Sequence, residues 1–303
     1  MTTPNLAILL STCDAYAGVA RFTRQRLAAC WPNHPPLFIC GLSHPQDGLE
    51  PSLPFVGDPR DWIGIARQAV EALAARGVEW LYLILDDHPP FGPCNAEYLN
   101  HTLPATAARL GAIQVNLQGW DQDRSQSGQV LGAADLHCRR NAPEFHWKFS
   151  LHPGLWHIPT LAGLLKQLRA RQPESLTARA FEGAMEAAAR EVNPDLCART
   201  YRVCGDGYAV GRRWFERRTT RWLALQGIHV ARSGARLAGA SALDRLDRRL
   251  VVYLRYLNGP YPMFWSGLIQ ARRLNDVALR FLEWSGQPSV AAAVRALPLP
   301  GMP

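Results

Sequence analysis

The chain has 303 residues, of which 48% are hydrophobic and 19% charged, the balance of a globular protein. No apolar run approaches the roughly 20 residues that cross a bilayer, and no basic segment precedes the first apolar stretch as in a secretory signal. Seven cysteines without CxxC spacing favour free thiols in a reducing cytoplasm and argue against a zinc site. We therefore expect a cytoplasmic protein.

The net charge of +8 is concentrated in the C-terminal third. Residues 1–199 carry 17 Lys and Arg against 19 acids, whereas residues 200–273 carry 14 Arg against 4 acids. Arginine suits phosphate and diphosphate groups because its planar fork donates two hydrogen bonds at once. A GC-rich genome would also favour arginine, but it would not remove the acids from the same segment.

The first 120 residues predict strands and helices in alternation. Asp61 suits a helix N-cap, Gly77 suits a helix end, and Pro104 predicts a kink or break. The predicted strands are residues 5–11, 36–40, 53–56, 78–85 and 113–117, and the predicted helices are residues 16–31, 61–76 and 95–110. This alternation with short connections is typical of a parallel, doubly wound sheet.

The alternation weakens after residue 120. Apolar periodicity and glycine content predict a strand at 145–151, helices at 158–171 and 176–190, and a hairpin or glycine-rich loop at 199–214. The chain beyond Trp214 is predicted to be mainly helical, with one break at 259–262. The C-terminal part therefore differs in character from the N-terminal sheet.

The most unusual segment is an apolar strand that ends at two adjacent carboxylates, Asp86 and Asp87. Residues 81–85 lack the alternation of a strand with one wet face, which predicts burial on both faces. The two acids would then lie at the carboxyl end of the strand, where open α/β sheets bind ligands. Neighbouring carboxylates repel each other unless a cation is close, and a divalent cation that carries phosphates would meet this need.

The end of the first strand argues against the commonest nucleotide-binding motifs. Ser11, Thr12, Cys13 and Asp14 stand there in place of GxGxxG or GxxxxGK[ST], which argues against a Rossmann dinucleotide site and a P-loop. The sequence has no GxSxG elbow of an α/β-hydrolase. An α/β sheet with an acid pair after a central strand, within the first hundred residues, is the layout of the GT-A glycosyltransferases.

Five short motifs in a shared order make the sequence similar to bacterial glycosyltransferases of capsule and lipopolysaccharide assembly. The resemblance covers roughly residues 5–215. The motifs are an Asp-Trp pair at 61–62, the acid-ended strand at 81–89, Phe-Ser-Leu-His-Pro-Gly-Leu-Trp at 149–156, Phe-Glu at 181–182 and Gly-Arg-Arg-Trp at 211–214. The sequence differs from the family pattern in two respects: its acids are adjacent where the family often has D-x-D, and no tryptophan precedes Glu182.

The resemblance implies a GT-A-like catalytic domain at residues 1–215, with a mainly parallel sheet flanked by helices, and an Arg-rich helical extension at residues 216–303. It implies transfer of a sugar from a nucleotide-sugar donor to a glycan or lipid-linked acceptor. Mg²⁺ or Mn²⁺ would stabilise the diphosphate that leaves. Asp87 is expected to hold the metal, and Asp86 to share it or to face the donor, because adjacent side chains on an extended segment point to opposite sides.

A base must take the proton of the acceptor hydroxyl if the transfer inverts the sugar configuration. The resemblance makes Glu182 the expected base, and Asp121, on the loop after the fifth predicted strand, is the alternative. The other interpretation of Glu182 is a solvated helical glutamate without a catalytic role.

The resemblance also implies a set of residues that contact the donor. Ser11, Thr12 and Asp14 are expected to line its base and ribose, although turn chemistry alone favours these residue types. His152 and Trp156 are expected to shape the sugar pocket, and the alternative for Trp156 is a place in the core.

Two late arginines, Arg212 and Arg213, are expected to clamp the diphosphate, or else to be solvated on the surface. Residues 248–273 mix arginines with tyrosine, phenylalanine and tryptophan, which suits an anionic membrane surface. Contact with the inner face of the membrane would hold the enzyme near a lipid-linked acceptor. The alternative is a helical subdomain packed on the catalytic domain.

Three other functions compete with the glycosyltransferase. A nucleotidyltransferase would usually show a glycine-rich phosphate loop with basic residues after the first strand, and residues 11–18 contain none. A catalytically impaired sugar-nucleotide binder is consistent with the adjacent acids. A nucleic-acid-binding module would account for the arginines, but the chain has no recognisable binding motif, so we expect no nucleic-acid partner.

Overall fold

A computed structural model describes residues 5–117, 138–141, 148–172, 177–192, 194–203, 229–230, 237–238, 260–263, 267–270, 273–284 and 287–299. The main sheet has eight strands: β1 (Leu6–Ser11), β2 (Leu37–Cys40), β3 (Ser52–Leu53), β4 (Trp80–Leu85), β5 (Gln114–Asn116), β6 (Cys138–Arg140), β7 (Gly154–His157) and β8 (Thr200–Val203). The α-helices are α1 (Ala17–Cys30), α2 (Trp62–Ala75), α3 (Leu103–Arg109), α4 (Ile158–Arg171), α5 (Ala178–Val192), α6 (Pro194–Ala198), α7 (Asp276–Trp284) and α8 (Pro288–Arg295).

The strands lie in the order β3-β2-β1-β4-β7-β5-β8-β6. β1 pairs in parallel with both β2 and β4, β2 with β3, and β5 with β8. β7 runs antiparallel between β4 and β5, and β6 runs antiparallel to β8 at the edge. The prediction of an α/β fold with a mainly parallel sheet flanked by helices is therefore confirmed at this level.

The two faces of the sheet belong to two separate hydrophobic clusters. Along β1, Ile8 and Leu10 pack in one cluster, and Ala7 and Leu9 pack in the other. β4 is buried along its length except at Leu85, which is partly exposed. This confirms the predicted burial of β4 on both faces, and it leaves only the strand ends for polar residues.

One predicted helix cap needs correction, and one predicted helix is confirmed with a change of type inside it. Asp61 precedes α2, but its side chain does not cap the helix; it forms a salt bridge with Arg169 of α4, at 2.8 Å between carboxylate and guanidinium. The helix predicted at 95–110 is helical without interruption over residues 96–109, and its π-helical segment (Tyr98–Thr102) runs directly into α3. Pro104 stands in the first turn of α3, so the break predicted there is a change from π- to α-helix just before the proline.

The strand predicted at 145–151 is wrong for its described part, residues 148–151, which form a turn, and the strand of this region is β7. The local reason is Ser150, whose Oγ accepts a hydrogen bond from the backbone N–H of His152 at 3.2 Å. Serine bonds of this kind compete with strand pairing. β8 occupies the start of the segment that was predicted to be a hairpin or loop, and β6 was not predicted.

The described residues of the C-terminal third form helices and also short strands, which were not predicted. Two antiparallel pairs are present: β9 (His229–Val230) with β10 (Leu237–Ala238), and β11 (Ile269–Gln270) with β12 (Arg273–Leu274). Gln287, just before α8, donates its side-chain amide to Phe91 O at 3.1 Å. The end of the chain therefore packs on the loop that follows β4, and the domain boundary at residue 215 stays a prediction. No helix in the described part of the chain is long and apolar enough to cross a membrane.

Candidate active site

The carboxyl ends of β1 and β4 meet where the strand order reverses. The chain leaves β1 for β2 on one side and returns to β4 on the other side. Open α/β sheets bind ligands in the crevice outside such a topological switch point. Thr12 Oγ1 donates to Asp86 Oδ2 at 2.6 Å, and Asp86 N donates to Ser11 O at 3.0 Å. Two segments that the sequence predicted as one site are therefore joined by direct hydrogen bonds.

The environment of Asp86 disfavours its charged form. Burial and the neighbouring carboxylate of Asp87 raise the pKa of Asp86 to about 7, against the lowering effects of the Thr12 hydroxyl and His88. The main chain is also held, because Thr23 of α1 donates its hydroxyl to Asp86 O. The charged form of Asp86 is therefore unfavourable in the protein alone, and a bound cation would stabilise it.

Asp87 points to a pair of histidines. Its Oδ1 lies 2.7 Å from Nδ1 of His88, and the Asp87 side chain is 22% exposed. The His88 ring meets the His152 ring edge to face, with 5.2 Å between centroids. His152 Nδ1 in turn lies 2.5 Å from Ser150 Oγ. The structure therefore brings the predicted metal ligand and a predicted sugar-pocket residue into one group.

The antiparallel direction of β7 explains how His152 reaches this group. A parallel strand would begin at the opposite edge of the sheet, whereas β7 begins at the edge where β1 and β4 end. Leu117, after β5, donates its N–H to Pro153 O at 3.0 Å and holds the entry to β7 at that edge. Glu182 of α5 accepts a hydrogen bond from Leu151 N at 2.7 Å. The predicted base therefore lies against the turn that carries His152.

A C-terminal strap, residues 260–263 and 267–268, covers the loop after β4. Tyr261 is buried and donates its hydroxyl to His88 O at 2.8 Å. Phe91 N donates to Pro262 O at 2.8 Å, and Leu268 N donates to Asp87 O at 2.6 Å. The acid loop, residues 86–91, is thus fixed by one side-chain and two backbone hydrogen bonds from the strap.

Three other predicted residues lie at or near the ends of β1 and β7 with structural partners. Ser11 Oγ accepts from Trp62 Nε1 at 3.0 Å, and Asp14 accepts from Ser43 N at 3.1 Å. Trp156 is 1% exposed and packs between Phe149 and Phe181 in the core. Trp156 therefore lies in the core, which was the alternative interpretation. His152 is the remaining candidate for the sugar pocket.

Asp121, Arg212 and Arg213 lie outside the described residues, as does most of the segment at 248–273. Their expected roles as alternative base, as diphosphate clamp and as membrane contact stay predictions.

The sheet face beyond β7 is polar, which the sequence analysis did not anticipate. Gln114, Thr200 and Asn141 lie in one row across β5, β8 and the residue after β6, and all are buried. Asn141 Nδ2 donates to Thr200 Oγ1 at 3.1 Å, and Gln114 Nε2 donates to Ser150 O at 2.8 Å. Asn116 and Arg202, which pair two residues further along β5 and β8, are also buried. The signal was present in the alternation of Gln114, Val115 and Asn116, but it was interpreted only as a strand.

The described residues contain no group of three or more His, Cys, Asp or Glu side chains that could hold a metal ion by themselves. This does not conflict with a metal that arrives with a nucleotide, since Mg²⁺ is commonly held by one or two carboxylates together with substrate phosphates and water. Asp86 and Asp87 are chemically suited to that smaller role.

Comparisons with protein-family models and with curated proteins return no match for this sequence.

Proposed function

We propose that the protein is a GT-A-type glycosyltransferase that moves a sugar from a nucleotide-sugar donor to a cell-surface polysaccharide or lipid-linked acceptor. The observation that carries the proposal is the Thr12–Asp86 hydrogen bond of 2.6 Å across the switch point of the sheet. It puts a carboxylate, a neighbouring carboxylate and polar groups of the first strand end in the crevice where α/β sheets bind nucleotides.

Asp87 would hold Mg²⁺ or Mn²⁺, and Asp86 would share the metal or face the donor ribose. When bound, the ion would neutralise the charge that develops on the leaving diphosphate. The residues of this chain set up the carboxylates beforehand: Thr12 orients Asp86, and His88 orients Asp87. Such fixed groups need no reorganisation at the moment of reaction.

Glu182 is the proposed base for the acceptor hydroxyl, with Asp121 as the alternative. One oxygen of Glu182 accepts from Leu151 N, so the other oxygen would take the proton. Glu182→Gln keeps an oxygen acceptor for Leu151 N and removes only the basic group. We expect this variant to bind donor as the wild type does and to lose transfer by 10²-fold or more, the usual worth of general base catalysis. A variant with unchanged turnover would remove Glu182 from the mechanism.

The decisive experiment is a thermal-shift screen of UDP-, GDP-, CMP- and dTDP-sugars, with and without Mn²⁺. A ligand that binds only the native state raises the melting temperature by mass action. We expect one nucleotide class to stabilise the protein, and Mn²⁺ to increase the shift. Asp87→Asn, which preserves shape, should remove the Mn²⁺-dependent increment, whereas the exposed control Glu71→Gln on α2 should retain it. No shift with any nucleotide in either metal condition would count against a glycosyltransferase.

A second candidate is a sugar-nucleotide binder without turnover. The engagement of Glu182 by the backbone at Leu151 favours it, because that contact also suits a purely structural glutamate. The two candidates separate when the nucleotide found by the screen is tested for slow hydrolysis of its sugar donor. A binder would show the thermal shift and no release of sugar, whereas slow release of sugar to water would show turnover.

A further inference from the structure

The backbone of Gly267 lies directly against the carboxylate of Asp87. A Cβ atom at position 267 would stand 2.5 Å from Asp87 Oδ2 and 2.8 Å from both Cγ and the carbonyl oxygen of Asp87. These distances are shorter than any that a side chain tolerates. The φ angle of Gly267 is +69°, a left-handed conformation that glycine adopts at least cost. Only glycine therefore permits both this backbone path and this position of Asp87.

The residues around Gly267 are held from two directions. Leu268 donates its N–H to Asp87 O at 2.6 Å and accepts a hydrogen bond from Asn275 N at 2.8 Å. The buried side chain of Asn275 donates to Gly267 O at 3.0 Å. Asn275 directly precedes α7 and accepts from Ala278 N at 3.4 Å. The start of a helix thus anchors the residue that touches the acid.

The other half of the strap holds the continuation of the same loop. Tyr261 bonds His88 O, and Pro262 O accepts from Phe91 N. The acid loop is therefore bonded to the strap at Asp87, at His88 and at Phe91. These contacts join residues more than 170 positions apart in the chain.

We propose that Gly267 is a positioning residue for Asp87, and that the C-terminal strap forms part of the site at the switch point. The strap fixes the carboxylate through close backbone contact and needs no side chain of its own at position 267. The consequence for nucleotide binding rests on the proposed function, whereas the placement of Asp87 does not.

The test is Gly267→Ala in the full-length chain, with Gly77→Ala as the matched control. Gly77 has a φ angle of +76°, and the nearest atom to a Cβ there is 3.8 Å away, on the side chain of Asn5. Both positions have φ angles in the left-handed region, so alanine strains the backbone in both variants, but only Gly267→Ala collides with Asp87. Hydrogen exchange is measured by mass spectrometry without nucleotide or metal, on peptides that cover residues 86–95 and 267–270.

We expect Gly267→Ala to speed exchange in both peptides at least tenfold relative to Gly77→Ala. Equal exchange in the two variants would overturn the positioning role. If Gly267→Ala fails to fold, Asn275→Ala tests the proposal in its place. This variant removes the hydrogen bond to Gly267 O and so loosens the strap without a collision at Asp87. Faster exchange at residues 86–95 would support the proposal, and wild-type exchange there would overturn it.

A second measurement uses UDP with Mn²⁺, or whichever nucleotide the screen identifies. Gly267→Ala should lose the Mn²⁺-dependent thermal shift as Asp87→Asn does, and Gly77→Ala should keep it. If the wild type shows no shift with any nucleotide, the proposed function fails while the exchange result still tests the strap. If Gly267→Ala keeps both wild-type exchange and the Mn²⁺ shift, the strap proposal fails while the proposed function stands.

Discussion

Replacing Asp86 by asparagine should stabilise the metal-free protein, and the gain should grow with pH. The native state keeps a proton on Asp86 up to a pH of about 7, whereas the unfolded chain releases it near the ordinary pKa of 3.8. Between these values the native state binds more protons than the unfolded state, so the free energy of unfolding falls as the pH rises. Asparagine does not ionise, so the free energy of unfolding of the variant does not include this decrease.

The magnitude follows from the size of the shift. A pKa of about 7 against 3.8 is a difference of about 3 units, and each unit is worth about 1.4 kcal/mol. Between pH 5 and pH 8 the ionisation of Asp86 lowers the free energy of unfolding of the wild type by about 2.5 kcal/mol. Asp86 is only partly buried, and its contact with water screens the effect, so we expect the gain to increase by about 1 to 2.5 kcal/mol over this range. The Thr12 hydroxyl can still donate to the amide oxygen of asparagine.

The assay is urea unfolding of wild type and Asp86→Asn at pH 5, 6, 7 and 8, with EDTA present. Comparing the two proteins at each pH cancels the other titrating groups. Glu71→Gln on the exposed face of α2 is the control for removing a carboxylate from the surface, and its difference from wild type is measured at the same four pH values. A gain for Asp86→Asn that is the same at pH 5 and pH 8 would refute the account of Asp86 as a carboxylate held against its charge.

Other changes test single contacts by urea unfolding. Thr12→Val removes the donor to Asp86 and should cost about 1–3 kcal/mol at pH 8, with a smaller loss at pH 5 where Asp86 is neutral; an equal loss would point to packing alone. Trp156→Ala should cost about 3–5 kcal/mol while the folded fraction binds nucleotide normally, and weakened binding would return Trp156 to the sugar pocket. Arg169→Met should cost about 3 kcal/mol because it leaves the buried Asp61 carboxylate unpaired, and Asp61→Asn added to it should recover part of the loss; no recovery would contradict the pairing.

The N-terminal half of the fold was predictable because its signals are local. β1 and β4 are short apolar segments bounded by residues that stop strands. α2 ends at Ala75, two residues before Gly77, whose φ angle is positive. The pairing of β1 with β2 also follows from a general rule, since consecutive strands of an α/β sheet are often neighbours, whereas the place of β4 on the other side of β1 has no signal in the sequence. The acids after β4 were placed at the ligand edge because open α/β sheets bind ligands at the carboxyl ends of their strands.

The remaining parts depend on contacts between distant residues, which have no local signal. β7 was displaced from its predicted place because Ser150 and His152 form a turn, and its antiparallel direction depends on pairing with β4 and β5. Gly267 is one glycine among 24 in the sequence, and only the three-dimensional approach of Asp87 distinguishes it. Trp156 was drawn toward the site by its motif, but the alternation along β7 turns its ring into the core.

The hydrogen bond between Leu117 and Pro153 has a consequence for how this protein could change over time. The chain leaves the ligand edge after Leu117 and returns to it at Pro153, so the ends of this excursion are already tied together. Doubling the length of a flexible loop whose ends are joined costs only about 0.6 kcal/mol in closure entropy. A flexible insertion between these two residues would therefore add little to the cost of closure, while the pairing of β4 with β1 keeps Asp86 and Asp87 in place.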